Sequence, residues 1–126
     1  MRAVDTNILV RLIARDDERQ TAAAETFVTG GAWVSHLVLV EAMCVLGSLY
    51  EQPSGKIATA VEILLAHRDL TMQEPDVVAA ALDRFRERPK LGFSDCLILE
   101  VARRAGHLPL GTFDRDLAKI EGATKL

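Results

Sequence analysis

Met1-Arg-Ala-Val-Asp-Thr-Asn-Ile-Leu9 holds two periodicities back to back. Ala3 and Val4 make a short apolar start of the kind that forms a buried strand. Ile8, Leu9, Leu12 and Ile13 then repeat at helical spacing. Asp5 falls at the junction, where a strand ends and a helix begins. In an open parallel sheet that edge is where ligands bind. Helix capping is the plainer account, because Asp, Thr and Asn are preferred at N-caps.

Working outward, the same alternation repeats. Asp16-Asp17-Glu18 opens a second helix, with Ala22, Ala23, Thr26 and Phe27 as its expected inner face, and Gly30-Gly31 stops it. Ala32-Trp-Val-Ser35 is a second strand. It leads into a long apolar helix over His36–Tyr50, for which Leu37, Val40, Met43, Cys44 and Leu46 are the expected buried positions. Glu41 sits in the middle of that run, either on a solvated strip or buried with a partner. Pro53 opens a further helix, Asp69–Met72 reads as a third strand, and Pro75 starts a helix that Pro89 ends. Its basic end, Arg84-Phe-Arg-Glu-Arg-Pro-Lys90, offers Arg84, Arg88 and Lys90 as phosphate contacts; with Glu87 interleaved, a solvated face explains it equally well. Phe93-Ser-Asp-Cys96 begins a helix whose apolar stripe is read as Leu97, Ile98, Val101, Ala102 and Ala105. Asp95 in its first turn is favoured by the helix dipole. His107–Thr112 is a fourth strand, with Pro109 tolerable only near its start. Thr112-Phe-Asp114-Arg-Asp116 is again strand end into helix start, and Ala123–Leu126 is a possible edge strand.

Short strands alternating with helices predict a three-layer α/β/α sandwich with a mainly parallel central sheet. The 126 residues, 49% of them hydrophobic, suffice for one domain spanning 1–126 with an aliphatic core, since aromatics are only 5%. Cys44 and Cys96 lie in apolar helical patterns and are expected as buried thiols of a reducing cytoplasm, not as a disulfide or zinc site. No signal-peptide pattern opens the chain. No run approaches the ~18 apolar residues of a membrane span. A net charge of −3 argues against a surface that coats nucleic acid generally, though not against a nuclease using a metal and a few local arginines.

In a parallel sheet the strand-to-helix junctions share an edge, which would bring Asp5 and Asp114 to one side. Asp95 and Glu41 reach it if their helices pack beside it. Carboxylates gathered in this way raise one another's pKa unless a cation is present. Oxygen donors without His or Cys suit Mg²⁺ or Mn²⁺, and such a site suits phosphodiester hydrolysis.

Val4-Asp-Thr-Asn-Ile-Leu9, Ser35 followed six residues on by Glu41, Phe93-Ser-Asp95 before an apolar helix, and Gly111-Thr-Phe-Asp114 together resemble PIN-domain ribonucleases. Length and order are similar to the VapC toxins of toxin–antitoxin pairs, and the resemblance spans essentially the whole chain. It implies Asp5, Glu41, Asp95 and Asp114 as catalytic acids, with Asp5, Asp95 and Asp114 as metal ligands. Thr112, Asp116 and Asn7 are implied as supporting positions. It further implies a Mg²⁺- or Mn²⁺-dependent endoribonuclease cutting single-stranded RNA, blocked by a cognate antitoxin and forming a homodimer. Spacing alone leaves Asp114 and Asp116 both open as the fourth acid.

Other readings of the acids fit less well. A phosphatase using Asp5 as nucleophile needs an acid two residues on, and that position is Asn7. A phosphoacceptor receiver domain needs paired acids at the first strand, where only Asp5 stands. A non-catalytic RNA-binding or protein-interaction module would be signalled by lost carboxylates, and all four are present.

Overall fold

The computed structural model describes residues 1–126, which fall into two compact units, Met1–Pro75 and Asp76–Leu126. The first contains β1 (Arg2–Ala3), α1 (Thr6–Ala14), α2 (Glu18–Val28), β2 (Ala32–Val34), α3 (His36–Ser48), α4 (Ser54–Ala66) and β3 (Leu70–Met72). α5 (Pro75–Glu87) leads into the second. There follow a 3₁₀ turn (Pro89–Leu91), α6 (Phe93–Ala105), β4 (Leu110–Thr112), α7 (Arg115–Ala118) and β5 (Ala123–Lys125). The chain is therefore a mixed α/β protein of parallel strands and helical crossovers, as the alternation of periodicities predicts.

All pairings are parallel, but they form two ladders. β1, β2 and β3 hydrogen-bond in that order, with Ala3 opposite Trp33 and Val34 opposite Met72. β4 pairs with β5, Leu110 opposite Ala123. Pro109 lies just outside β4, so it withholds no donor from the ladder.

In the first unit Leu9, Val10, Val28, Val34, Leu39, Val61 and Leu64 are all essentially inaccessible. In the second, Val78, Cys96, Leu97 and Leu99 are equally deep, and Phe85 meets Phe93 edge to face with ring centres 6.1 Å apart. Several inner faces differ from the periodicity reading. α2 buries Thr21, Ala24 and Val28. Ala22, Ala23, Thr26 and Phe27 instead line an outer groove with Arg2, whose guanidinium lies 4.1 Å from the Phe27 ring centre. Leu37 and Cys44 face solvent on α3, so Cys44 is not the buried thiol expected. Ile98 is likewise exposed on α6, where Leu99 and Cys96 take the core. α3 is apolar on more than one side, and in all three helices the hydrophobic pattern alone does not say which side the neighbouring elements cover.

Candidate functional site

In the first unit, β1 and β2 run side by side into α1 and α3, so their exits share one sheet edge. Asp5 stands at the first exit in extended conformation, and its Oδ1 accepts the Thr6 amide at 2.7 Å. It does cap α1, yet its carboxylate is exposed at the ligand-binding edge of a parallel sheet. Asn7, in the first turn, is exposed too. Ser35 stands at the second exit and caps α3 through the Val38 amide, 3.2 Å from its Oγ. Glu41 lies six residues further along α3, about 9 Å up its axis. It is exposed, sharing its face with Leu37, four residues earlier, and not buried with a partner. His36 and Gln73 tie this edge together: Gln73 Oε1 accepts the His36 amide at 2.9 Å, and His36 Nε2 donates to the Gln73 carbonyl at 2.8 Å. Nothing in the one-dimensional pattern marks that pair, which is made by two residues 37 apart.

In the second unit Asp95 occupies the first turn of α6 and is partly buried. Burial pushes its carboxyl above the ordinary aspartate range, and the negative charge of Asp114 pushes it further. Asp114 is the exposed N-cap of α7, where its Oδ1 accepts the Asp116 and Leu117 amides at 2.8 and 2.9 Å. Thr112 fixes the approach, its Oγ1 accepting the Asp114 amide at 3.0 Å. Asp116 pairs with Lys119 at 3.7 Å. Of the two acids that spacing left open, Asp114 is the one whose charge acts on Asp95.

The basic stretch divides. Arg84 is half-buried, with Glu87 at 3.7 Å and Glu100 at 3.9 Å, so its charge is already engaged. Arg88 and Lys90 are exposed around the 3₁₀ turn. Glu100, missed by the sequence reading, is the one charged side chain in the core, only 8% exposed. Its Oε2 lies 3.4 Å from Arg103 Nε, and Arg103 in turn donates to the Glu121 carbonyl at 2.6 Å. Gly122, at φ 101°, lies under that guanidinium, and a Cβ there would come within 3.1 Å of it. Arg103 thereby ties α6, which carries Asp95, to the turn after α7, which Asp114 caps. Cys96, beside Asp95 and fully buried, has its thiol pushed up to about 11, first by burial and then by the Asp95 charge; it is no nucleophile.

The chain matches the PIN domain family model over residues 2–123. It belongs to the PIN-domain family. The match crosses both compact units. No curated protein and no solved structure matches the chain. PIN domains are generally metal-dependent nucleases, so the activity class of this PIN-domain protein is phosphodiester hydrolysis. No three or more His, Cys, Asp or Glu side chains are grouped to hold a metal ion. By donor chemistry alone, the carboxylates of Asp95 and Asp114 are of the kind a hard divalent cation takes, because Mg²⁺ is commonly held through one or two carboxylates with waters completing its shell. Burial, and then repulsion from Asp114, disfavour the Asp95 charge, and a bound cation would offset both. A groove of about 640 Å³ in the first unit, lined by Leu12, Ile13, Val28, Leu64 and His67 among others, includes none of these acids. No helix is long and apolar enough to cross a membrane.

Proposed function

We propose that this chain is a Mg²⁺- or Mn²⁺-dependent endoribonuclease toxin that hydrolyses phosphodiester bonds in single-stranded RNA and is neutralised by a cognate antitoxin. The observation that carries the reading is the placement of two acids at neighbouring helix starts of the second unit: Asp95, partly buried in the first turn of α6 and pushed up by burial and then by the charge of Asp114, and Asp114, the exposed N-cap of α7. Asp95 and Asp114 would hold the cation, and the PIN-domain resemblance assigns Asp5 as a further ligand and Glu41 as a further catalytic acid. When bound, the cation supplies Lewis-acid activation of water and of the scissile phosphate. The chain's own contribution is to keep the donors in place. Thr112 and the α7 amides orient Asp114, and the Thr6 amide orients Asp5. Arg88 and Lys90, exposed and outside the Glu100 ion pairs, suit the RNA backbone.

The toxin role extends the same electrostatics. A basic side chain of the antitoxin reaching the acids would satisfy them as a metal does, with charge-assisted hydrogen bonds. Metal and antitoxin should therefore compete, and a homodimer is the assembly proposed. The test is cleavage of a labelled single-stranded oligoribonucleotide. EDTA should abolish it, Mg²⁺ or Mn²⁺ should restore it, and Ca²⁺, with its looser coordination, should restore it poorly. Undiminished cleavage in EDTA overturns the metal-dependent mechanism.

A further inference from the structure

Phe113 stands apart from the other aromatic side chains of an aromatic-poor chain. Phe85 and Phe93 are 3% and 4% exposed and packed on each other. Phe27 lies under Arg2, Tyr50 hydrogen-bonds Asp16, and Trp33 is a little over a third exposed. Phe113 is 78% exposed. It forgoes the burial that usually repays a large aromatic ring.

Its backbone, in contrast, is held on both sides. Thr112 is in the β4 ladder, its carbonyl accepts the Leu126 amide at 2.9 Å, and its Oγ1 accepts the Asp114 amide. Asp114 is locked in turn as the cap of α7. The ring therefore projects from a fixed base, immediately before the acid coupled to Asp95 and two residues before exposed Arg115.

We infer that the Phe113 ring is a stacking platform for the base of an unpaired nucleotide adjoining the scissile phosphate; this rests on the ribonuclease reading above. Phe113 adjoins Asp114 in the chain, with Cα atoms about 3.8 Å apart, so a base lying on its ring would fall within a nucleotide or two of the phosphate that Asp114 serves. Aromatic stacking suits any base that presents a free face and is denied to bases stacked within a duplex. Phe113 thus gives the site a preference for unpaired RNA with little preference for base identity, and Arg115 is placed to meet the backbone beside it.

The experiment compares wild type, Phe113→Ala, Phe113→Leu and Phe113→Trp in steady-state cleavage of a single-stranded oligoribonucleotide with Mn²⁺. Thermal melts serve as the check on folding, which an exposed side chain should leave unchanged. KM should rise about tenfold or more in Phe113→Ala, in line with the loss of one base stack. It should rise comparably in Phe113→Leu, which keeps the apolar bulk without a π face, and stay near wild type in Phe113→Trp. An unchanged KM in Phe113→Ala, or a wild-type KM in Phe113→Leu, overturns stacking and leaves the ribonuclease reading standing. Absence of RNA cleavage by the wild type overturns that reading and this inference with it.

Discussion

Replacing Glu100 by Gln tests whether the core carboxylate holds the second unit together. Its oxygens lie 3.4 Å from Arg103 and 3.9 Å from Arg84. At an effective dielectric near 20 each contact is worth roughly 4–5 kcal/mol before desolvation. The carboxylate has lost nearly all its water at 8% exposure, which takes back much of that gain. Breaking a fully buried ion pair costs roughly 3–5 kcal/mol. Here the two guanidiniums are about a third exposed, 33% and 32%, so solvent relieves part of their loss. The balance is about 2 kcal/mol, a fall in melting temperature of roughly 6–10 °C for a chain of this size. The control is Glu25→Gln, which removes a carboxylate from an ion pair with Arg15 whose side chains are 57% and 48% exposed. That change should cost at most about 1 kcal/mol and shrink further in salt. Thermal melts at low and high ionic strength measure both. A Glu100→Gln midpoint no lower than that of Glu25→Gln would show that the core carboxylate contributes nothing beyond a surface pair.

Other expectations follow from the titrating groups and the core. Asp95→Asn should lower cleavage by orders of magnitude, yet leave the metal-free protein no less stable at pH 7. A carboxyl raised in the fold loses stability as pH rises through its unfolded value to its folded one, so removing the charge recovers that loss; melts in EDTA across pH 4–7 check the sign. Asp16 is shifted the opposite way, lowered chiefly by the Tyr50 hydroxyl and also by Arg11. Its stabilisation is present above the unfolded pKa and lost as pH falls through the folded one, so Tyr50→Phe should move the acid-unfolding midpoint to higher pH. Leu99→Ala, at a position with no exposure, should cost roughly 2–5 kcal/mol by denaturant titration.

Much of the strand and helix order was legible because β1, β2 and β4 are each followed within two residues by a capping residue, and caps are local. Asp5, Asp17, Ser35 and Asp114 all sit at helix starts and accept nearby amides, a role written within a few residues. Which side of a helix the core covers is not local. α2 offers alanines at 22, 23 and 24, and only Ala24 is buried, because covering Thr21, Ala24 and Val28 is what packing against its neighbours requires. Cys44 and Leu37 were misplaced for the same reason: α3 is apolar nearly all round, so the hydrophobic pattern does not orient it.

The acids show the same division between local and distant information. Spacing alone could not choose between Asp114 and Asp116, because both stand at the start of α7. Capping geometry separates them. The cap residue remains extended, taking two amides on one oxygen, whereas Asp116 is inside the helix and within reach of Lys119 one turn on. Asp95, by contrast, looks like an ordinary helix-start carboxylate in one dimension, and the dipole of α6 would explain it fully. What the dipole does not explain is a carboxyl pushed upward, since a helix N-terminus stabilises the charged form. The shift arises from burial and from Asp114, a residue 19 positions away in the sequence. Distant in the chain, the two are tied by Arg103, which joins α6 to the turn after α7. A fold that sets one acid against another, when either could have been an amide, retains a repulsion that a bound cation would relieve, and nuclease chemistry supplies a reason to keep it.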